Sequence, residues 1–459
     1  MGGVAFVNYS IETNSLPVVN PLIDNNEFFK NIYLAFLAVI SHISLLFGVN
    51  ILYLWSILSI AFSIVICYLS YLILRLLKVP SSIAILSMLL LPTITVSTRL
   101  PGLWHLIPFT FGVIFLLQQI LVSLEKKSKL AVVNSALTIL FYPPFFIISI
   151  PTLAIYLLRE HRNAKIPLKR LLIYSSLLAI PPALILFFQF ANIKELIDFF
   201  LHSAYHDNFG LGIIRRNIFY IVPFFSIIFS FVGLIILAIK KKVEIVVPII
   251  LLLFLWLFYT FNSNFIFLDF ARVAVIASYL LVIISVYGFY QVLSYFCKRL
   301  KLKMNNSKLR VLGLIIIIFF ILKLPNYTEN NNWNSINPSF LPGNQSLILN
   351  QPPKNNFFSL DDYEVFSKFN GKRFISNPVN SLEIGASTNN YPIISKPSFV
   401  TNQYFSYHYF LSRSCQRRLE IMQEQKIDYI YTEEFDCPGF VEVNRSSDEL
   451  LVLYEISEN

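Results

Sequence analysis

Chemistry in this chain would have to come from a few polar residues set among long apolar runs. Arg272 follows Phe265-Ile266-Phe267-Leu268-Asp269-Phe270 and opens another apolar stretch. Its guanidinium fork suits a phosphate at a membrane boundary. Asp269, three residues back on the same helical face, is the competing partner, and a snorkelled anchor at a helix end is the other plain reading. Arg99 and His105 flank Leu100-Pro101-Gly102-Leu103-Trp104. Arg99 there is a second candidate for phosphate, and Trp104 and His105 are candidates for sugar contact; Trp and Arg also mark ordinary interfacial belts. His202 and His206 stand four apart, the spacing of two metal ligands on one helix face, with Asp207 and Arg215-Arg216 nearby. No HExxH arrangement accompanies them, so His206 and Asp207 read as substrate contacts or as a solvated polar loop rather than as a metal site. Glu12 and Asp24 are the carboxylates that could serve as general base on an acceptor hydroxyl, or they are solvated acids in a loop.

The elements that must position these residues are set by composition. Of 459 residues, 56% are hydrophobic and 14% charged, with 44 Phe against 14 Gly. Soluble domains carry about 25% charge, so this chain has too little polar surface to cover itself and reads as an integral membrane protein. The net charge of +10 does not point to nucleic acid. The basic excess lies in residues 1–323, with 26 Lys+Arg against 10 Asp+Glu, whereas residues 324–459 carry 10 against 16.

About 20 apolar residues span a hydrocarbon core of about 30 Å. Clear candidates are 51–74, 105–124, 171–190, 217–239, 273–296 and 310–323, with 82–98 and 244–260 near the lower limit. The apolar stretch 129–158 is broken at Tyr142-Pro143-Pro144 and predicts two short helices or a re-entrant pair. Segment 29–48 is apolar but interrupted by polar residues, which favours a helix lying in the interface over a span. Every second loop is basic: those after 74, 124, 158, 239 and 296 hold 19 Lys and Arg, and the alternate loops with the N-terminal segment hold six. The basic set belongs to the cytoplasmic face. The expected fold is therefore a polytopic α-helical membrane protein with about ten spans plus an interfacial helix. Residues 1–50 form an outer N-terminal segment and 51–323 the bundle, leaving the tail outside the cell.

The composition changes at Pro325. Residues 324–358 are rich in Asn, Pro and Ser and read as a tether. Residues 359–459 alternate helical and strand-like runs: helices at Asp361 to Phe369 and Leu411 to Gln425, and strands at 373–376, 391–395, 428–432 and 450–456. That order predicts a small extracytoplasmic α/β domain. Cys415 and Cys437 lie 22 residues apart in it, a disulfide if the tail is outside and two separate thiols otherwise. Sequons at Asn8, Asn326, Asn344 and Asn444 all fall on the expected outer side. The opening residues show no positive region followed by an apolar stretch, as a cleaved leader would, and Phe6 stands where a myristoylation signal needs Ser or Thr.

With these features in place, the layout resembles the GT-C superfamily of membrane glycosyltransferases, which use polyprenyl-phosphate sugars outside the membrane. The resemblance spans most of the chain. The stretch Asn8-Tyr9-Ser10-Ile11-Glu12-Thr13-Asn14-Ser15-Leu16-Pro17 followed by 29–48 is similar to the family's outer loop and interfacial helix. Tyr142-Pro143-Pro144 resembles a place where relatives often carry His-Pro, and Arg272 resembles an arginine that meets the donor phosphate. The resemblance implies transfer of sugar from a polyprenyl-phosphate donor to a lipid-linked or cell-surface glycan, or to a protein. The partners would be membrane lipid and these substrates, with no nucleic acid; the residues themselves specify no cofactor and no metal ligands, and a divalent cation (Mg or Mn) is the one that would be compatible with such a site. The chain departs from the family at its start. The family's first span and catalytic Asp would precede this opening, where Met1-Gly2-Gly3-Val4 stands. The expectation is either a longer reading frame or a relative without catalysis. The alternative function is a non-catalytic membrane scaffold or lipid-glycan transporter with an outer partner-binding domain, although paired half-repeats and intramembrane charges are not evident.

Reporter fusions after Lys129 and after Lys242 are expected to read out as cytoplasmic; an extracytoplasmic signal at either site would reverse the orientation.

Overall fold

The computed structural model describes residues 2–16, 33–94, 106–163, 165–189, 192–198, 224–261, 268, 270–299, 360–369, 371–376, 381, 384–385, 387–388, 390–393, 407, 409–445 and 451–456. The chain forms two compact units: Met1–Trp55, Asp207–Ile213 and Asn337–Asn459 in one, Ser56–His206 and Ile214–Ile336 in the other.

The second unit is helical. Helices α3 (Ile51–Leu76), α4 (Ser81–Leu90), α5 (Pro108–Leu124), α6 (Ser128–Phe141), α7 (Phe146–Arg162), α8 (Leu168–Gln189), α9 (Ile193–Asp198), α10 (Phe224–Ile239), α11 (Val243–Phe261) and α12 (Phe270–Arg299) follow in order. Among the described residues three are long and apolar enough to cross a membrane: Tyr53–Leu76, Leu168–Phe188 and Arg272–Arg299. Their surroundings differ. The apolar window of α12 is 89% buried and that of α8 is 17% buried, so α12 is a central helix and α8 presents most of its surface outward, where lipid would cover it. The run 129–158 does divide: α6 ends at Phe141, a 3-10 turn covers Pro143–Phe145, and α7 begins at Phe146. Of the segment 82–98 the described part ends at Ile94. Helix α4 has 10 residues, about 15 Å, and passes into a 3-10 turn at Leu91–Thr93 because Pro92 has no N–H to continue the ladder. The expected span 310–323 lies outside the described residues.

α10 and α12 approach backbone to backbone. A Cβ on Gly288 would fall inside contact distance of the Phe229 carbonyl and 2.8 Å from the Gly233 nitrogen, and one on Gly233 would strike the Ile284 carbonyl. Ser230 Oγ donates to the Leu281 carbonyl at 2.7 Å across the same seam. Small residues are how apolar helices gain packing when no hydrophobic drive between them exists.

One end of this unit gathers charge. Arg159 Nη2 lies 2.5 Å from Glu244 and 3.3 Å from Glu160, and Nη1 donates to the Lys241 carbonyl at 3.0 Å. Lys165 meets Glu160 at 3.4 Å. Both carboxylates are buried, and a buried acid is stable only when paired. Ser128 Oγ bonds Tyr156 Oη at 3.1 Å, and Lys240 Nζ donates to Tyr287 Oη at 2.9 Å. The basic turns at 125–129, 159–165 and 240–242 are thus held together at one end. Three helices of the unit close with a lysine in the left-handed region, Lys78 (φ 65°), Lys126 (φ 62°) and Lys241 (φ 54°). Each follows the same pattern: Lys78 N–H donates to Arg75 O, Lys126 N–H to Ser123 O and Lys241 N–H to Ala238 O. The next residue donates to a carbonyl five back, as Lys127 does to Val122. This is the Schellman closure, in which glycine is usual.

In the first unit, α1 (Gly2–Thr13) packs beside α2 (Leu34–Phe47). The opening residues, expected as a polar loop, form a helix because Val4, Ala5 and Val7 supply a buried face. α2 ends at Gly48, φ 62°, and Phe36 meets Trp55 edge-on at 5.9 Å. The tail forms a five-stranded sheet of order β2-β1-β3-β5-β4, with β1 Arg373–Ser376, β2 Tyr391–Pro392, β3 Tyr429–Thr432, β4 Phe440–Arg445 and β5 Val452–Ile456. β2, β1 and β3 are parallel, whereas β5 runs antiparallel to both β3 and β4. Successive residues of the central strands enter opposite cores. Ile375, Ile430, Val452 and Tyr454 pack with Met422 of α14 (Cys415–Glu424), and Phe374, Tyr431 and Leu453 pack with Phe366 of α13 (Leu360–Ser367). Asn390 joins the layers, its amide donating to Phe366 O and Phe369 O at 2.9 Å while its oxygen accepts from Lys372 N–H. Tyr407 bonds Thr432 Oγ1 at 2.5 Å, and burial pushes its hydroxyl up to about 12. β4 went unseen in the sequence pattern: it is an edge strand with Val441 and Val443 exposed, so no buried face marks it. Cys415 and Cys437 are disulfide-bonded, Cα–Cα 5.4 Å.

Gly288→Leu is expected to lower stability by at least about 1–3 kcal/mol, read as an earlier thermal transition in detergent; an unchanged transition would mean that α10 and α12 do not touch there. Reducing the Cys415–Cys437 bond, which closes a 22-residue separation, is expected to cost the tail about 3 kcal/mol, seen as faster proteolysis of residues 360–456 in the full chain.

Candidate functional site

α12 begins beside a break in the bundle. Its third residue, Arg272, is half-buried, and its guanidinium carbon lies 5.7 Å from the centroid of the Tyr142 ring. That distance places a cation over an aromatic face. Tyr142 caps α6 and starts the Pro143–Phe145 turn: its N–H donates to Thr138 O at 2.9 Å and its carbonyl accepts from Phe145 N–H at 3.0 Å. Two adjacent prolines follow and withhold two N–H donors from the ladder where α6 ends, and the tyrosine ring is turned into the bundle, where it is 1% exposed.

Three elements hold that ring. Phe109, in the first turn of α5, meets it edge-on at 5.5 Å, and Phe145 does so at 4.9 Å. Phe109 and Phe145 also pack on each other at 5.3 Å. Gly112 provides the space: a Cβ there would sit 2.7 Å from Tyr142 Cβ and 3.0 Å from the Phe145 ring. The N-terminus of α5, the 142–145 turn and the N-terminus of α12 are thereby gathered at one end. α7 leads from that turn to Arg159, a rise of about 20 Å, and α12 leads from Arg272 to Tyr287, about 22 Å. The Arg272–Tyr142 pair therefore lies at the end opposite the Arg159–Glu244 cluster.

A guanidinium is planar and carries its N–H donors in that plane, the geometry that matches a phosphate or a carboxylate. A divalent cation would need carboxylates. The aromatic wall of Phe109, Tyr142 and Phe145 supplies none, and Asp269 lies outside the described residues, as do His202, His206 and Asp207. Among the described residues there is no group of three His, Cys, Asp or Glu able to hold a metal. The described surroundings of Arg272 suit an anion rather than Mg or Mn.

Of the residues singled out from sequence, Arg272 is placed and joined to Tyr142. Glu12 is exposed near the end of α1, in the other unit. Asp24, Arg99, Trp104, His105 and Arg215-Arg216 lie outside the described residues; α5 starts at Pro108, three residues after His105. Sequence reasoning missed the roles of Phe109, Gly112 and the Tyr142 ring. The available signal was the proline pair that breaks an apolar run, which marks a turn but not which helix the turn faces.

No protein-family model matches the chain, and no curated protein matches it. Among solved structures it is similar to the oligosaccharyltransferase of Archaeoglobus fulgidus. The apo form gives 11% identity and TM-score 0.49, and the form tethered to an acceptor peptide containing the NVT sequon gives 12% and 0.48. The complex with an inhibitory peptide and a dolichol-phosphate gives 12% and 0.47. Each match covers 94% of this chain, which spans 64–65% of the length of those structures. At such identities and TM-scores the functional reading rests on this chain's own residues.

Proposed function

We propose that this protein is a membrane glycosyltransferase of GT-C type that moves a sugar from a polyprenyl-phosphate donor to a glycan or protein acceptor on the outer side of the membrane. The observation that carries this reading is Arg272, a half-buried arginine at the end of a central apolar helix, its guanidinium stacked on Tyr142. An ionisable side chain set against the apolar interior of a helical membrane unit is a functional-site hypothesis by default.

In this mechanism a carboxylate takes the proton of the acceptor hydroxyl. The hydroxyl oxygen attacks the anomeric carbon, and the bond to the lipid phosphate breaks with inversion. Arg272, seconded by Arg99, stabilises the phosphate as charge develops on it. Trp104, His105, His206 and Asp207 are proposed to contact the substrates. The topology follows from the basic loops: about ten spans and an interfacial α2, with the N-terminal segment and the tail outside the cell. Two observations support that orientation. The basic turns at 125–129, 159–165 and 240–242 meet at one end of the helical unit, so the Lys and Arg excess falls on a single side of it. The disulfide in the tail fits an oxidising compartment.

Arg272→Ala is expected to lower sugar transfer from a labelled polyprenyl-phosphate sugar by about 10²-fold at unchanged expression, with Arg272→Lys falling between because it restores charge but not the fork. Wild-type turnover in the alanine variant would remove Arg272 from the site.

A further inference from the structure

We propose that the corner between α7 and α8 holds the headgroup of an anionic phospholipid whose acyl chains lie along the outward face of α8. Two observations meet there. The apolar window of α8 is only 17% buried, and Leu172, Ile173, Leu177, Ile180 and Leu184 are each at least 39% exposed. At the head of that surface stand three exposed cations, Arg162 at the end of α7 and Lys169 and Arg170 in the first turn of α8. The protein does not use their charge. Of the glutamates in the adjoining turns, Glu125 is taken by Lys127 at 2.7 Å, Glu160 by Arg159 and Lys165, and Glu244 by Arg159. Among the described residues Arg162, Lys169 and Arg170 have no ion pair. Helix stability does not account for the two on α8 either. The first turn is the positive end of the helix dipole, where acids are favoured, and α8 has none there.

The corner that carries these cations is fixed. Lys165 N–H donates to Glu160 O and Arg170 N–H to Pro167 O, both at 3.0 Å. Ile166 and Tyr174 are buried against Leu157. The backbone positions of the three cations are therefore set before any lipid arrives, which spares part of the ordering cost of binding. Lys169 and Ile173 are four residues apart and share a helix face; Ile180 and Leu184 continue that lane, about 22 Å in all. Unpaired positive charge above a bare apolar lane matches a molecule with a negative head and hydrocarbon chains. A zwitterionic lipid would cover the lane but bring no net charge to the corner. A free phosphate would meet the charge and leave the lane uncovered. Each Lys or Arg beside an anionic headgroup contributes about fivefold in affinity.

The test uses the full-length protein, stripped of lipid in detergent, with phosphatidylglycerol and phosphatidylcholine of matched chains as probes. Native mass spectrometry reads the binding, and thermal transitions confirm that each variant is folded. Wild type is expected to prefer phosphatidylglycerol by about tenfold or more. Lys169→Gln combined with Arg170→Gln should weaken phosphatidylglycerol binding by about 10- to 30-fold and leave phosphatidylcholine within about twofold. The swap Lys169→Arg with Arg170→Lys, which keeps both charges, should stay within about threefold of wild type. Lys298→Gln with Arg299→Gln removes the same charge from the last turn of α12 and should cost less than about threefold. Equal losses for the α8 and α12 pairs would overturn the proposal in favour of diffuse attraction. A wild type that binds both lipids alike would overturn it as well, leaving the α8 cations as plain anchors. Displacement of phosphatidylglycerol by an equal concentration of glycerol phosphate would overturn it in favour of a site for free phosphate.

Discussion

The seam between α10 and α12 is the contact on which the helical unit depends. In an apolar environment helices have no hydrophobic reason to associate, so the close approach at Gly233 and Gly288 and the Ser230 bond to Leu281 O must hold α12 in place. α12 is in turn the element that everything polar refers to. Its first turn carries Arg272, and its later turns carry Tyr287, which accepts from Lys240. A displacement of α12 would move both ends of the bundle at once.

The two ends are built from opposite solutions to the same difficulty, a charge beside hydrocarbon. At one, Arg159 is matched by Glu244 and Glu160 at 2.5 and 3.3 Å, and with Lys165 at 3.4 Å from Glu160 the cluster is neutralised within itself. At the other, Arg272 is stacked on an aromatic face. Ion pairing of the first kind locks α7 to α11. The second sets a planar cation over a ring face, and the guanidinium is the side-chain group whose shape matches carboxylate and phosphate.

Much of this was legible in the residues. Helices α3, α5, α8, α10, α11 and α12 coincide with apolar runs read directly from the chain, and the proline pair marked the division between α6 and α7. In the tail, β1 and β3 showed themselves as short apolar runs that feed both cores. What was not legible has physical causes. β4 has no buried face to impose a pattern. α1 looked polar because Asn8, Ser10, Glu12 and Thr13 interrupt it, yet three small apolar side chains suffice to bury one side. α4 stops early because a single proline ends its ladder. The site was half visible: Arg272 stands out as a charge at the end of an apolar run, but its partner is 130 positions away in sequence, and no local periodicity links them.

The lysines at 78, 126 and 241 carry a consequence for how this chain tolerates change. Each occupies a backbone conformation that glycine would adopt at less expense. Drift toward glycine would relax the turn while taking a positive charge from the carbonyl end of a helix, where the helix dipole favours it. Charge at the helix end and relaxed backbone geometry therefore pull against each other at these three corners, and the residue found there is the one that keeps the charge.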